Sequence, residues 1–167
     1  MSGAKEQKPF ARSFSHLLKR AVQLSVHRYN EEAGKNGLTH RQFTVLSAVD
    51  VFEGKSQTEL VRITGIDRST LADLVARLMA QGYVQRRRTK EDGRTNSVRL
   101  TPVGKKALKT SQSGAEDVDK ALLSRLGASD RKVVLDCLSL LAAEMDEIDH
   151  TDEAPRNKGK IKLKRKL

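Results

Sequence analysis

The 167-residue chain is short of the side chains that several common protein classes are built from. It has one cysteine, Cys137, no tryptophan and only 4% aromatic residues. A lone cysteine excludes an intramolecular disulfide and a cysteine-based zinc site, and it suits a reducing compartment. The four histidines are scattered, so no metal and no cofactor is expected. With so few aromatics the core must come from Leu, Val, Ile and Ala, which favours helix packed on helix over a β-sandwich. No apolar run approaches the roughly 20 residues that span a bilayer, and the opening MSGAKEQKPF has no apolar signal core. A soluble, cytoplasmic protein is expected. There is no Gly-rich phosphate loop, metal-ligand cluster or nucleophile–base pair, which argues against an enzyme. RRM- and KH-like signatures are missing too.

Positive charge, by contrast, is plentiful: 32 Lys+Arg face 21 Asp+Glu, a net charge of +11. An anionic partner follows from that balance. Much of the excess is local, however, because Arg156–Leu167 carries seven basic residues and no acid. That segment reads as a polybasic arm able to add non-specific DNA affinity, with membrane contact a weaker alternative. The case for nucleic acid must therefore rest on motif and placement.

Apolar residues at Phe10, Phe14, Leu17, Ala21 and Leu24 mark a first amphipathic helix, ended near Ala33 by Gly34 and Gly37. Thr39 with Gln42, and Ser56 with Glu59, are capping-box patterns that open two further helices. Gly65 closes the short helix carrying Leu60, and Asp67 or Ser69 caps the next, which runs to Gly82. Two β-compatible stretches, 83–88 and 97–100, flank a turn-rich charged tip and predict a hairpin. Pro102 restarts a helix after Thr101. The polar stretch Ser111–Gly114 is expected to kink or weaken it. Ser129 or Asp130 caps a last helix whose seam is Val134, Leu138, Leu141, Met145 and Ile148. The fold expected is mainly α with a small β-hairpin wing.

Two short helices joined at Gly65, followed by a basic hairpin, have the organisation of a winged helix-turn-helix. Helix 56–64, with Ser56, Gln57 and Thr58 at its start, would cross the DNA backbone. Helix 67–81 would enter the major groove N-terminus first, projecting Arg68, Ser69 and Thr70, with its free N–H groups favouring phosphate. Asp73 and Arg77 follow along roughly the same face. In the hairpin, Arg86, Arg88, Lys90, Asp92 and Arg94 are the candidate contacts to phosphate or minor groove. Alternatively, some of the arginine run is simply an exposed strand, and Arg86 pairs with Asp92.

Gly82-Tyr83-Val84-Gln85-Arg86, Asp92-Gly93-Arg94 and Leu100-Thr101-Pro102-Val103-Gly104 resemble, in order and spacing, the signature of the MarR family of transcription regulators. Upstream, Leu38-Thr39-x-x-Gln42-Phe43-x-x-Leu46 and Ser69-Thr70-Leu71 resemble its second and recognition helices. The resemblance runs from about Phe10 to Ile148. It implies a bacterial, nucleoid-associated homodimer on double-stranded, pseudo-palindromic operator DNA. It implies too a repressor that a small aromatic acid or an acyl-CoA thioester releases, or one that answers oxidation of a cysteine. Carried over by position, Arg94 is the minor-groove wing arginine and Asp92 its organiser. Gly93 departs from the pattern, since a basic residue is common there.

The resemblance implies a ligand pocket where the first and second helices meet the DNA-binding unit. His16, Arg20, His27, Arg28, Tyr29 and Arg41 are its candidates here, with His40 beside them. Phe10, Phe14, Leu17 and Leu24, with the last-helix seam, form the expected dimer interface, because both seams lie outside the DNA-binding unit. The expected organisation is a disordered lead (1–9), a dimerisation helix (10–37), the winged unit (38–101), dimerisation helices (102–151) and a disordered basic tail (152–167). Cys137 sits on an apolar side of the last helix, so a buried structural thiol is expected and redox sensing is the alternative. A constitutive, architectural DNA binder is a further alternative.

Overall fold

The computed structural model describes residues 9–32, 37–88 and 96–152, without the side chains of Pro9, Arg88, Asn96 and 145–152. The elements run α1 (Phe14–Glu32), α2 (His40–Val51), α3 (Gln57–Thr64), α4 (Arg68–Ala80), β1 (Val84–Arg88), β2 (Asn96–Leu100), α5 (Pro102–Leu123) and α6 (Ala128–Asp152). The expected mainly-α fold with a hairpin wing is what forms. The chain divides after Ala128 into two units.

In the first unit the helix boundaries follow side-chain capping. Thr39 accepts the Gln42 amide while the Gln42 side chain accepts the Thr39 amide, and Ser56 and Glu59 do the same for α3. Gly65 ends α3 at φ +64°, a left-handed conformation that a Cβ would strain. Asp67, not Ser69, caps α4. At the other end of the chain's first seam the expectation fails. Pro9–Arg12 is a 3-10 turn rather than the first turn of α1, and the α-helical hydrogen bonds start from the Ser13 carbonyl. Phe10 therefore precedes α1 instead of lying on it.

The core is aliphatic, as the composition requires. Leu38, Val45, Leu46 and Val49 meet Leu60 of α3, Leu71, Val75 and Leu78 of α4, Val84 and Val98 of the hairpin and Leu108 of α5. A smaller cluster joins α1 to α5: Tyr29, 2% exposed, packs with Ala115 and Val118 beside Phe43 and Leu122. This cluster explains why α5 runs unbroken through Ser111–Gly114, where a kink was expected. Ser111 and Ala115 lie one turn apart on the same face and both are buried. Their small side chains leave room for the Tyr29 ring, so the polar stretch is a seat rather than a weak point.

The hairpin pairs antiparallel, Val84 with Leu100 and Arg88 with Asn96 at its two ends. The turn after α2 adds a short third edge: Ser56 bridges to Ser97, and the Val98 amide donates to the Lys55 carbonyl at 3.0 Å. Thr101 then turns the chain into α5. Its hydroxyl donates to the Gly82 carbonyl at 2.6 Å, and its amide donates to the Tyr83 carbonyl at 3.0 Å. The Gly104 amide closes the cap on Thr101 Oγ1. Gly104 is buried against Tyr83 so closely that an added Cβ would overlap the Tyr83 carbonyl oxygen.

In the second unit, α6 shows exposed Val133, Leu135, Leu138, Leu140 and Leu141, with Val134 half-buried. Cys137 is exposed as well, against the expectation of a buried thiol, because none of residues 128–144 of α6 is buried within a single chain. The helix starts at Ala128, ahead of both expected caps. Met145 and Ile148 keep their helical positions, but their side chains lie outside the described residues.

Gly104→Ala should force α5 off the Tyr83 backbone. Overpacking of this kind costs about 1–3 kcal/mol. A urea midpoint unchanged from the native chain would show that the contact is relieved some other way.

Candidate DNA-binding site

Three segments converge on one side of the first unit: the start of α3, the outward face of α4 and the base of the hairpin. Each is fixed by a local interaction. At α3 the Ser56–Glu59 box is reinforced by Lys55, whose Nζ lies 2.8 Å from Glu59. The hydrogen bond from Lys55 and that from the Ser56 amide hold the Glu59 carboxyl down at about 2. Gln57, Thr58 and Val61 of α3 face Arg68 of α4 across a cleft of about 280 Å³.

In α4 the buried Leu71, Val75 and Leu78 define the inner face, and Ser69, Asp73, Ala76 and Arg77 are exposed. The Asp67 carboxylate sits at the helix start, accepting the Thr70 amide at 2.9 Å and the Ser69 hydroxyl at 2.7 Å. Hydrogen bonds from Thr70 and Ser69 keep that carboxyl well below the usual carboxylate range. This corrects one expectation. The Thr70 amide at the helix start is not free for phosphate, because the chain's own carboxylate already occupies it.

The hairpin is tied to α3 by Arg86, whose Nη2 donates to Gln57 Oε1 at 3.1 Å. Arg86 is thus held at the α3 start. Arg88 is the last residue of β1; its side chain, and the whole of Lys90, Asp92, Gly93 and Arg94, lie outside the described residues. Two positioning features were not foreseen. Buried Ser97 donates from Oγ to the Arg87 carbonyl at 3.1 Å, and Arg99 Nη1 lies 3.0 Å from Glu53. An acid 46 positions from its base carries no spacing signal. A serine that alternates with Val98 in a strand does hint at burial.

Above the inner half of α4 lies a cavity of about 560 Å³, walled by Val26 and Asn30 of α1, Thr39–Arg41, and Thr70, Asp73, Leu74 and Arg77 of α4. Of the six expected ligand residues Arg41 lines it, and so does His40, named beside them. Tyr29 stands behind the wall in the core, edge-on to His40 with ring centroids 5.3 Å apart, and its buried hydroxyl has no aligned hydrogen-bond partner beside Ser111. Burial pushes the His40 imidazole down, Asp119 opposes this and Arg41 adds to it. The remaining candidates lie elsewhere. His27 faces Glu31 at 3.2 Å, His16 packs on Phe10, Arg20 is exposed, and Arg28 pairs with Glu32 beside a second cleft shared with Leu24, Leu122 and Arg125. Among the described residues no group of three or more His, Cys, Asp or Glu could hold a metal, and no helix is long and apolar enough to cross a membrane.

The MarR family model matches residues 36–95. The HTH-type transcriptional repressor NicR of Pseudomonas putida is 31% identical over 120 residues, covering 72% of this chain and 76% of NicR. The chain belongs to the MarR family. Among solved MarR-type structures, BpsR of Bordetella bronchiseptica superposes with a TM-score of 0.74 at 27% identity, over 81% of this chain and 96% of that one. CouR bound to a 23-mer DNA duplex superposes with a TM-score of 0.70 at 26% identity, over 79% and 94%. The chain is thus a DNA-binding transcription regulator with a MarR-type winged helix.

Glu59→Gln keeps an N3 side chain able to close the capping box but removes the titrating charge. The depressed Glu59 pKa contributes stability that is present above the ordinary 4.5 and is lost as pH falls towards about 2. The variant should therefore lose less stability than the native chain over that window. Urea unfolding at pH 2.5, 4 and 7 checks this, and parallel acid limbs would contradict it.

Proposed function

We propose that this MarR-family chain is a homodimeric repressor released from a pseudo-palindromic operator by a small aromatic or heteroaromatic acid. The observation that carries the reading is the α1–α2–α4 cavity. It sets the guanidiniums of Arg41 and Arg77, neither with a side-chain partner among the described residues, and the half-buried His40 against the helix that enters the groove. Such a site recognises a carboxylate on a flat ring, with Val26 and Leu74 as its apolar walls. In support, DNA binding by the similar BpsR is regulated by 6-hydroxynicotinic acid.

On the DNA, Ser69, Asp73 and Arg77 face the major groove, with Thr70 behind them. Ser56, Gln57, Thr58 and Arg68 meet the adjoining backbone. Arg86 and Arg88 lead the wing to Lys90, Asp92 and Arg94 at the neighbouring minor groove. The second protomer covers the apolar residues that one chain leaves in water. Phe14 is 63% exposed, and Phe10, Leu17, Leu24, Leu138 and Leu141 are exposed with it. Residues 10–37 and 102–151 supply that interface, 38–101 read DNA, and 152–167 add non-specific attraction. A two-fold dimer then presents two α4 helices to half-sites about one helical turn apart.

Selection from random DNA should enrich a palindrome bound at least about 10³-fold more tightly than unselected DNA. Millimolar 6-hydroxynicotinate should release it, and sedimentation at micromolar protein should give a dimer. A stable monomer, or no enriched sequence, would refute the reading. Enrichment without release by any aromatic acid would instead favour a constitutive binder. The exposure of Cys137 favours one second reading, a redox-responsive repressor. In that case peroxide should abolish DNA binding by the native chain and spare Cys137→Ser.

Arg94→Ala should weaken operator binding by about 1–3 kcal/mol, as for loss of one specific arginine contact. The dimer should stay intact. Full-strength binding by this variant in a fluorescence-anisotropy titration would remove Arg94 from the interface.

A further inference from the structure

We infer that the centre of α4's outward face reads the exocyclic amines of bases: Asp67 holds the Ser69 hydroxyl hydrogen, so Ser69 and Asp73 both face the DNA as acceptors only, and each selects cytosine or adenine over guanine and thymine. This rests on the function just proposed, in which α4 enters the major groove, and adds which bases it selects there.

Helix periodicity fixes what faces outward. Successive residues of α4 are about 100° apart. Leu71, Val75 and Leu78 are buried, so Ser69, Asp73, Ala76 and Ala80 point the opposite way, and all four are exposed. Arg68 and Arg77 stand off that line. The line itself carries a hydroxyl, a carboxylate and two methyl groups. Its single side-chain donor is the Ser69 hydroxyl.

That donor is already occupied. Ser69 Oγ donates to Asp67 Oδ1 at 2.7 Å, and the Thr70 amide donates to the same oxygen at 2.9 Å. Hydrogen bonds from Thr70 and Ser69 keep the Asp67 carboxyl well below the usual carboxylate range, so it has no proton to give and the direction of the Ser69 bond is set. A serine oxygen whose hydrogen is held elsewhere still offers its lone pairs, and an ionised carboxylate only accepts. The Asp73 carboxylate has no side-chain partner among the described residues.

In the major groove the donors are N4 of cytosine and N6 of adenine, whereas N7 and O6 of guanine and O4 of thymine accept. Ser69 can take one hydrogen bond from either amine. Asp73 is the more selective, because adenine sets the acceptor N7 beside its amine and cytosine does not. A wrong base puts acceptor against acceptor, so discrimination comes from the penalty as much as from the bond. The two residues are about 6 Å apart along the helix axis. Stacked bases on one strand are about 3.4 Å apart, so Ser69 and Asp73 address base pairs one or two steps apart.

The test selects DNA from a random pool with the full chain and with three variants. The half-site of the native chain should carry cytosine or adenine at the position that Ser69→Ala makes indifferent. Asp73→Asn, whose amide can pair with both N6 and N7 of adenine, should change one position from cytosine to adenine. Asp67→Ser keeps a hydroxyl to cap the Thr70 amide but removes the carboxylate that holds Ser69. Ser69 can then donate, and guanine or thymine should become acceptable at its position. Loss of a cap alone would weaken every sequence alike and leave the preference unchanged. Replacing the selected cytosine by pyrimidin-2-one, or the adenine by purine, removes only the amine and should lower native affinity about tenfold. The same replacement at the Ser69 position should not affect Ser69→Ala. Unchanged far-UV circular dichroism in all three variants confirms the fold. The inference is overturned if guanine or thymine occupies the responding positions, if no position responds to Ser69→Ala and Asp73→Asn, if Asp67→Ser leaves the preference intact, or if loss of the amine leaves native affinity unchanged. Failure of the native chain to enrich any DNA would instead remove the regulator reading itself.

Discussion

Thr101 grips the backbone of Gly82 and Tyr83, and Gly104 lies flush against it. At that point the end of α4, the start of β1, the exit of β2 and the start of α5 are within hydrogen-bonding distance of one another. The contacts join the Thr101 hydroxyl and amide directly to backbone groups, so they leave little freedom for one element to turn without the rest. Tyr83 N–H also donates back to the Leu78 carbonyl, which carries the constraint into the last turn of α4. The reading helix, the wing and the long α5 are therefore one mechanical piece, and the identity of two residues, a hydroxyl at 101 and no side chain at 104, makes it so.

The two ends of α4 are held differently. Its C-terminal end is bound at this joint and by Gln81, which accepts from Gln42 of α2. Its N-terminal end is closed by the Asp67 carboxylate and borders water. The cavity lies along the flank between them, and its far wall is α1 and the start of α2.

Much of this architecture is legible in the amino-acid sequence, for physical reasons that differ by element. Capping residues act over three or four positions, so Thr39-Gln42, Ser56-Glu59 and Thr101-Pro102 mark their helices from sequence alone. Gly65 and the Gly82 turn are equally local. What the sequence hides depends on contacts between distant segments. Ser111–Gly114 resembles a break because its partner, Tyr29, is 82 positions from Ser111, and nothing local says that small residues there seat an aromatic ring. Asp67 is one of two caps the sequence offers, but its effect on phosphate binding needs the geometry of its hydrogen bonds. The cavity draws on α1, α2 and α4 together, so family position gathers six candidate ligand residues, with His40 beside them, of which the fold brings Arg41 and His40 to the wall. The outward residues of α4 are read more readily, because a single helix periodicity fixes which of them share a face.

The turn between α2 and α3 has a consequence for how this chain can vary. Lys55 and Ser56 belong at once to a helix cap and to the edge of the sheet, through Val98 and Ser97. One inserted residue would put the cap and the edge out of step, since side chains along a strand alternate faces. The spacing between α2 and α3 is thus a ruler shared by two kinds of secondary structure. A family built on this head has far less room to change loop length there than its exposed position on the surface would suggest.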